Sequence, residues 1–464
     1  MTENHKTPIL FVGDSPSAQT GLARILRDLA LRLHLSCSDI FDVATFGYGG
    51  HGDKNLPFPQ YMIEGMENWF LPTIEDVWDN FAGDRKGIIF FIWDPSRLLW
   101  FARPDIPGAC DDQRMQAFLQ SGRFQKWIYA PMDAVGPNQR LSVIIRECLK
   151  GFDQVIAYSR WEEKTIRASV EPAMADSMEL TALPHGIDTR VFRPQHPIKS
   201  RESFTRIKFR GPEIQPHEKI IGIVATNQTR KDWGLAYEAL SQVAKSHPIR
   251  VFVQTDILER KWSFPALIHD YNMVYQTIIN CNLVPDEEMT YLYSACDVTL
   301  GIGLGEGFGY PIFESLACGT PCITGNYGGQ AEWLSDTMVP IAYRLEGLYN
   351  CVRPVYDASK WAYRISKMLR EGKTGESLLP PALAWENLWP RWEIWFRDGR
   401  NRLIAQDESL DRHDSKSERG KAKPGQSRLK AVSKEARTQS PAAAIGTSPD
   451  LVLIEPVTPS EQER

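Results

Sequence analysis

Apolar residues fall in short unbroken runs, each closed by glycine, proline or polar sequence: Ile9 to Val12, then GIIFFIW from Gly87, KWIYAP from Lys126 and QVIAYS from Gln154. Runs without alternation read as strands buried on both faces, as in parallel sheets. After the first run, a turn rich in Asp, Ser, Pro and Gly leads into GLARILRDLALRLHL, with Leu22, Ile25, Leu26, Leu29 and Leu33 at helical spacing. A second series begins with IIGIVAT from Ile220, RVFVQT from Arg250, DVTLGIG from Asp297 and PCITG from Pro321, interleaved with helical stretches such as LAYEALSQVA. The alternation predicts an α/β protein of two doubly wound domains facing a cleft, with ligands beyond the carboxyl ends of the strands.

Between the two series, residues 193–218 are rich in proline and charge without a helical or strand period, which predicts a linker. The expected organisation is a first domain over 1–192, that linker, a second domain over 219–375, a tryptophan-rich helical segment over 376–405 and a disordered tail over 406–464. In WENLWPRWEIWF, Trp385, Trp389, Trp392 and Trp395 lie along one helical face. That face suits core packing, with an interfacial membrane helix as the alternative. Beyond Gln406 the aromatic residues vanish and the chain cannot offset its ordering entropy. From Lys416 to Arg437 the tail carries eight Lys or Arg against two Glu, a solvated run or else a tether to an anionic partner.

Length and composition agree with this plan. The chain has 464 residues, too many for one ordinary core, and is 42% hydrophobic and 24% charged, the profile of a globular protein. A net charge of -5 excludes a generally basic surface for unspecific nucleic-acid binding, although a local patch remains open. The eight cysteines are scattered and read as reduced thiols, with no ligand spacing for a metal. The apolar run near the N-terminus is too short for a signal peptide or a membrane span, so a cytoplasmic location is expected.

The chemistry concentrates in GLGEGFGYPIFESLACGTP, from Gly303. The pattern predicts a strand over 297–303, a bend over 305–310 and a helix over 311–318, with proline in its first turn and Gly319 after its end. Backbone N–H groups of Phe308, Gly309 and Tyr310 at a helix N-terminus suit phosphate, and Gly305, Gly307 and Gly309 let a ligand approach. Glu314, one turn into the helix, could accept from ribose hydroxyls, and Glu306 could face sugar hydroxyls beyond the phosphates. The plainer alternative is that both acids complement the helix dipole.

The same stretch resembles the signature of retaining glycosyltransferases of family 4: two glutamates around a Gly-Phe-Gly turn, then a short helix ending in Gly-Thr-Pro. SACDVTL before it, and Gly328, Gly329 and Glu332 in GNYGGQAEW after it, extend the likeness. So do PHGIDTRVFRP from Pro184 and DQVIAYSRWEE. The resemblance implies the GT-B fold, with a nucleoside-diphosphate sugar, of UDP or GDP type, on the second domain and an acceptor on the first. No metal or other cofactor is expected.

The family's diphosphate-binding loop corresponds to TNQTRKDWG, where Lys231 matches the family's lysine. The arginine usual five residues earlier is Thr226 here, so Arg230 must substitute or the charge is reduced. DSPSAQTGLAR resembles the family's glycine loop, with Gly21 as the close-approach position and a plain helix cap as the rival reading. Asp133 in YAPMD and Asp94 in IWDPS end strands at the cleft, where many relatives carry a histidine that this chain lacks; His185 reads as a hinge or phosphate-side residue, with a plain structural role as the alternative. The expected catalytic set is therefore Glu306, Arg230, Lys231 and Asp133, with Gly21, Gly307, Phe308, Gly309, Tyr310 and Glu314 holding the donor. The resemblance favours a cell-envelope glycan or lipid-linked acceptor and allows peripheral membrane contact. Modified bases in DNA, binding without turnover and nucleotide-sugar epimerisation are the rival functions. The segment 46–59 is expected to be an acceptor-side loop.

Overall fold

The computed structural model describes residues 6–50, 52–63, 73–206, 213–347, 350–419 and 452–454. The first domain is built on strands β1 (Thr7–Asp14), β2 (Phe41–Tyr48), β3 (Gln60–Ile63), β4 (Gly87–Ile92), β5 (Phe124–Ala130), β6 (Gln154–Ala157) and β7 (Leu180–Ala182). Their spatial order is β3-β2-β1-β4-β5-β6-β7, all parallel. The second domain holds β8 (Lys219–Val224), β9 (Ile249–Gln254), β10 (Thr277–Asn280), β11 (Val298–Gly301) and β12 (Cys322–Thr324), in the parallel order β10-β9-β8-β11-β12. Both sheets reverse direction beside their first strand, the crevice where doubly wound sheets bind ligands. An antiparallel hairpin of β13 (Ala342–Glu346) and β14 (Cys351–Val355) stands apart from both.

The unbroken apolar runs have the expected cause. In β1, Ile9 and Phe11 join one core while Leu10 and Val12 join another on the opposite face of the sheet; in β4, Ile88 and Phe90 divide from Ile89 and Phe91 in the same way. Neither face meets water, so alternation is absent.

The tryptophan helix packs into the core. It starts at Trp385 and crosses back to the first domain, where Trp395 meets Trp127 with centroids 4.6 Å apart and Phe396 lies against Phe11 and Phe41. Trp385, Trp392 and Trp395 are buried, and the Trp392 indole N–H donates to the Pro184 carbonyl at 2.8 Å. These faces are closed to a membrane. Among the described residues, no helix is long and apolar enough to cross one.

Three expectations of organisation need correction. The linker contains a helix, Pro197–Arg206, and its start is tied to the second domain, with the Arg193 and Gln195 amides donating to Thr290 and Ser294 hydroxyls. The tail expected to be disordered from 406 continues the last helix as far as Arg419, and Val452–Ile454 forms a further strand, β15, antiparallel to β3. The rest of the tail, including the basic run from 420 onward, lies outside the described residues. The segment 46–59, expected as a loop, opens with the last residues of β2.

Candidate functional site

β11 ends at Gly301, and the chain turns back through Gly305 and Gly307 into the helix Tyr310–Ala317. Gly309, at φ 87°, caps that helix, and a proline stands in its first turn, so the element starts at Tyr310, one residue earlier than the sequence suggests. Glycine at 305 is a steric requirement. Its φ is 134°, and a Cβ would sit 1.9 Å from the Asp133 carbonyl oxygen of the first domain. At Gly307, a Cβ would come within 2.7 Å of Glu162 Oε1. The bend is thus pressed directly against the other domain.

Glu306 lies between two cations. Its Oε2 accepts from Arg230 Nη1 at 2.8 Å, and its Oε1 is paired with Lys231 Nζ. Arg230 also donates to the Gly305 carbonyl at 3.3 Å and forms an ion pair with Asp133 at 3.3 Å, so four expected catalytic residues from both domains meet in one cluster. The loop that delivers the cations is shaped by Asn227, whose side chain bonds both ways to the segment 257–262.

The electrostatics are unequal. Burial would raise the Glu306 carboxyl, but the two cations outweigh it and hold the group at about 2. Lys231 is pushed below its ordinary value by burial and by Arg230, which Glu306 offsets only in part. Glu306 and the more open Asp133 together oppose Arg230 and Lys231, so a diphosphate would reach these cations by displacing their carboxylate partners.

Glu314 sits in a second cluster. Tyr293 donates to its Oε2 at 2.7 Å, and Arg24 of the first domain pairs with its Oε1 while reaching Asp286 at 2.5 Å. Burial raises the Glu314 carboxyl despite Arg24. Arg24 lies over Phe192 and Tyr310, 5.4 and 5.1 Å from the ring centroids, and this group borders a cavity of roughly 140 Å³ that also contacts Arg27, Asp28 and Gly186. Both Glu314 oxygens already have partners, so a ribose would have to displace Arg24 to reach the carboxylate.

The other expected donor residues divide. Gly21 opens the helix Gly21–Cys37, capped by Thr20, and also faces Tyr310, to which a Cβ would approach 3.7 Å. The loop thus caps the helix that follows it. The Phe308 ring is buried against Phe313 and His185, so its side chain serves packing and only its main chain is left for a ligand. The Tyr310 hydroxyl is buried without a hydrogen-bond partner. His185 bonds Tyr129 at 2.9 Å, and burial holds it well below its ordinary value, hence neutral. Asp94 caps a short turn by accepting from the Ser96 amide at 2.9 Å.

Three partners in the site went unnoticed in the sequence. Arg24 follows the glycine loop on the polar side of its helix. Arg353 is a lone charge in the otherwise apolar CVRPV of β14. Glu162, in the quoted segment DQVIAYSRWEE, is fully buried under Gly307, accepts from the Met132 and Tyr158 amides at 3.2 and 2.5 Å, and is raised well above the carboxylate range by burial. A charge inside an apolar run was the available signal for Arg353; Glu162, among Arg160, Glu163 and Lys164, gave none.

Residues 205–378, which include Arg230, Lys231, Glu306 and Glu314, match the family model described as glycosyl transferases group 1. A D-inositol 3-phosphate glycosyltransferase of Mycobacterium marinum is 23% identical over 216 residues, 46% of this chain and 42% of the relative. An O-antigen chain mannosyltransferase B of Escherichia coli is 40% identical over 53 residues, 11% of this chain and 14% of the relative. The chain thus spans less than half the length of these relatives. Among solved structures, sucrose-phosphate synthase of Thermosynechococcus elongatus superposes with a TM-score of 0.62 at 16% identity, covering 86% of this chain and 100% of that one. Anabaena HepE in complex with UDP and glucose gives 0.58 at 15%, covering 87% and 100%. The fold is GT-B.

Proposed function

We propose that the protein is a retaining glycosyltransferase of the family 4 type, moving a sugar from a nucleoside diphosphate to an acceptor hydroxyl. The observation that carries this reading is Glu306 shared between Arg230 and Lys231, within the segment that matches glycosyl transferases group 1. On donor binding, the diphosphate takes over the two cations, and the released Glu306 carboxylate turns to hydroxyls of the sugar. Glu314 accepts from the ribose after Arg24 gives way. Gly21, Gly307, Gly309 and Tyr310 border the phosphates with the Phe308 main chain, and Asp133 stands at the acceptor end.

Transfer then proceeds on one face of the sugar. The acceptor oxygen bonds to the anomeric carbon as the bond to the diphosphate breaks, and the acceptor's proton passes to a diphosphate oxygen. Arg230 and Lys231 stabilise the charge that develops there, so the route requires neither an enzyme nucleophile nor a metal. A uridine or guanosine donor is favoured, consistent with the UDP complex of the Anabaena neighbour. A cell-envelope glycan or lipid-linked acceptor, met in the cytoplasm or at the membrane surface, is favoured; the O-antigen chain mannosyltransferase relative supports a glycan acceptor, and the D-inositol 3-phosphate relative a small polyol phosphate.

The first experiment is thermal unfolding with UDP, GDP, ADP and CMP in turn, on the wild type and on Lys231→Ala, followed by assay of nucleoside diphosphate release from the matching sugar. Ligand at about 100 times its dissociation constant adds roughly 2.7 kcal/mol. A shift with one nucleotide that vanishes in the variant is expected, together with turnover. A shift without turnover on any acceptor supports a binding protein instead. No shift and no turnover with any nucleotide would refute the reading.

A further inference from the structure

The hairpin of β13 and β14 is an addition to the second domain, since neither strand joins its five-stranded sheet. Its most deeply placed charge is Arg353, with a side chain 6% exposed. Nη1 of Arg353 donates to the main-chain oxygens of Asp133 and Leu304 at 3.0 and 3.4 Å, and lies 3.4 Å from the Asp133 carboxylate. Its Nε donates to Glu346, across the hairpin, at 2.8 Å. Segments from both domains therefore converge on one guanidinium.

Main-chain bonds join the same places. The Val352 amide donates to the Val135 carbonyl at 2.7 Å, and the Tyr327 hydroxyl accepts from the Val135 amide at 3.3 Å while donating to the Val352 carbonyl at 2.5 Å. Just beyond, Asn138 and Gln139 are held at φ 60° and 59°, a left-handed conformation costly for residues with a side chain. Gly305 already presses on the Asp133 carbonyl that Arg353 grips. Arg353 thus fixes the spacing across the seam between Asp133 and the loop that carries Glu306.

We propose that Arg353 is a positioning residue for sugar transfer: acting through Asp133, it sets where the acceptor hydroxyl stands relative to the anomeric carbon. This rests on the glycosyltransferase reading above. Asp133 is shared between Arg353 and Arg230. Without Arg353, Asp133 turns to Arg230 alone and leaves the acceptor end, and water competes for the anomeric carbon. Hydrolysis needs no further reagent: a water oxygen bonds to that carbon, the bond to the diphosphate breaks, and free sugar, nucleoside diphosphate and a proton result.

The test uses the full chain with Arg353→Met and Arg353→Lys. UDP-, GDP- and ADP-sugars serve as donors and glycerol as the hydroxyl probe, and sugar transferred is compared with sugar released. In Arg353→Met the partition should move toward hydrolysis by roughly tenfold or more, since small misplacements of reacting groups are costly. The thermal gain on adding the matching nucleoside diphosphate should persist, reduced only in part because Asp133 then contends for Arg230, and should stay well above that of Lys231→Ala. Arg353→Lys should fall between, because an ammonium lacks the fork that holds the Asp133 carbonyl and Glu346 at once, and it carries the test alone if Arg353→Met does not fold. An unchanged partition in a folded variant overturns the inference, as does loss of the nucleotide gain to the degree seen in Lys231→Ala. A wild type that turns over no donor overturns the reading and the inference together.

Discussion

Glu306→Gln separates the two demands placed on one carboxylate. The substitution keeps the shape and one acceptor but removes the charge between Arg230 and Lys231. Glu306 and Lys231 are each 13% exposed and Arg230 is 28% exposed, so solvent screens the loss poorly. Holding the carboxyl at about 2 rather than 4.5 corresponds to about 3 kcal/mol, within a factor of two. Because the folded value lies below the unfolded one, that stability is fully present above pH 4.5 and is lost as the pH falls toward 2. At neutral pH the variant should melt about 6 to 12 °C lower if the second domain unfolds cooperatively. A nucleoside diphosphate, no longer competing with Glu306, should then raise the midpoint of the variant more than that of the wild type, while sugar transfer falls. Differential scanning calorimetry with and without the nucleotide reads both. An unchanged midpoint, or a smaller nucleotide gain than in the wild type, would refute the view that carboxylate and diphosphate contend for the same cations.

Glu162→Gln should act in the opposite sense. Burial raises the folded carboxyl, so wild-type stability is fullest below pH 4.5 and declines as pH rises toward the folded value; the glutamine variant loses one of the two amide contacts at every pH, but its stability relative to the wild type should grow over that range in a pH series of melting curves. Gly305→Ala should retain both folded domains by circular dichroism but lose transfer, because a Cβ cannot coexist with the Asp133 carbonyl 1.9 Å away; normal turnover would contradict the close approach. Trp392→Ala should cost about 3 to 5 kcal/mol in chemical denaturation, since the indole fills the core beneath the first domain and leaves the Pro184 carbonyl without its donor.

Much of the architecture was legible in the chain because burial on both faces leaves its mark on every residue of a strand. Ile9 to Val12 and GIIFFIW could hardly be anything else, and the turn from Gly305 to Tyr310 declared itself through glycines that no side chain could replace. Local sequence likewise marked Glu306, Arg230, Lys231 and Glu314 as residues of interest. It left weaker traces of β2, whose run is broken by Asp42 and Thr45, of the three-residue β7, and of the hairpin, whose strand β13 is largely exposed. What the chain could not state was which charges face each other. Arg24 meets Glu314 across 290 positions, and Arg353 meets Asp133 across 220. Such pairs carry no periodicity, because their energy depends on distance in space and on the water removed between them. Folding within the second domain decided that Glu306 is shared by two cations, and the packing of the two domains decided that Arg24 caps Glu314 and that Asp133 is held from the side of the hairpin.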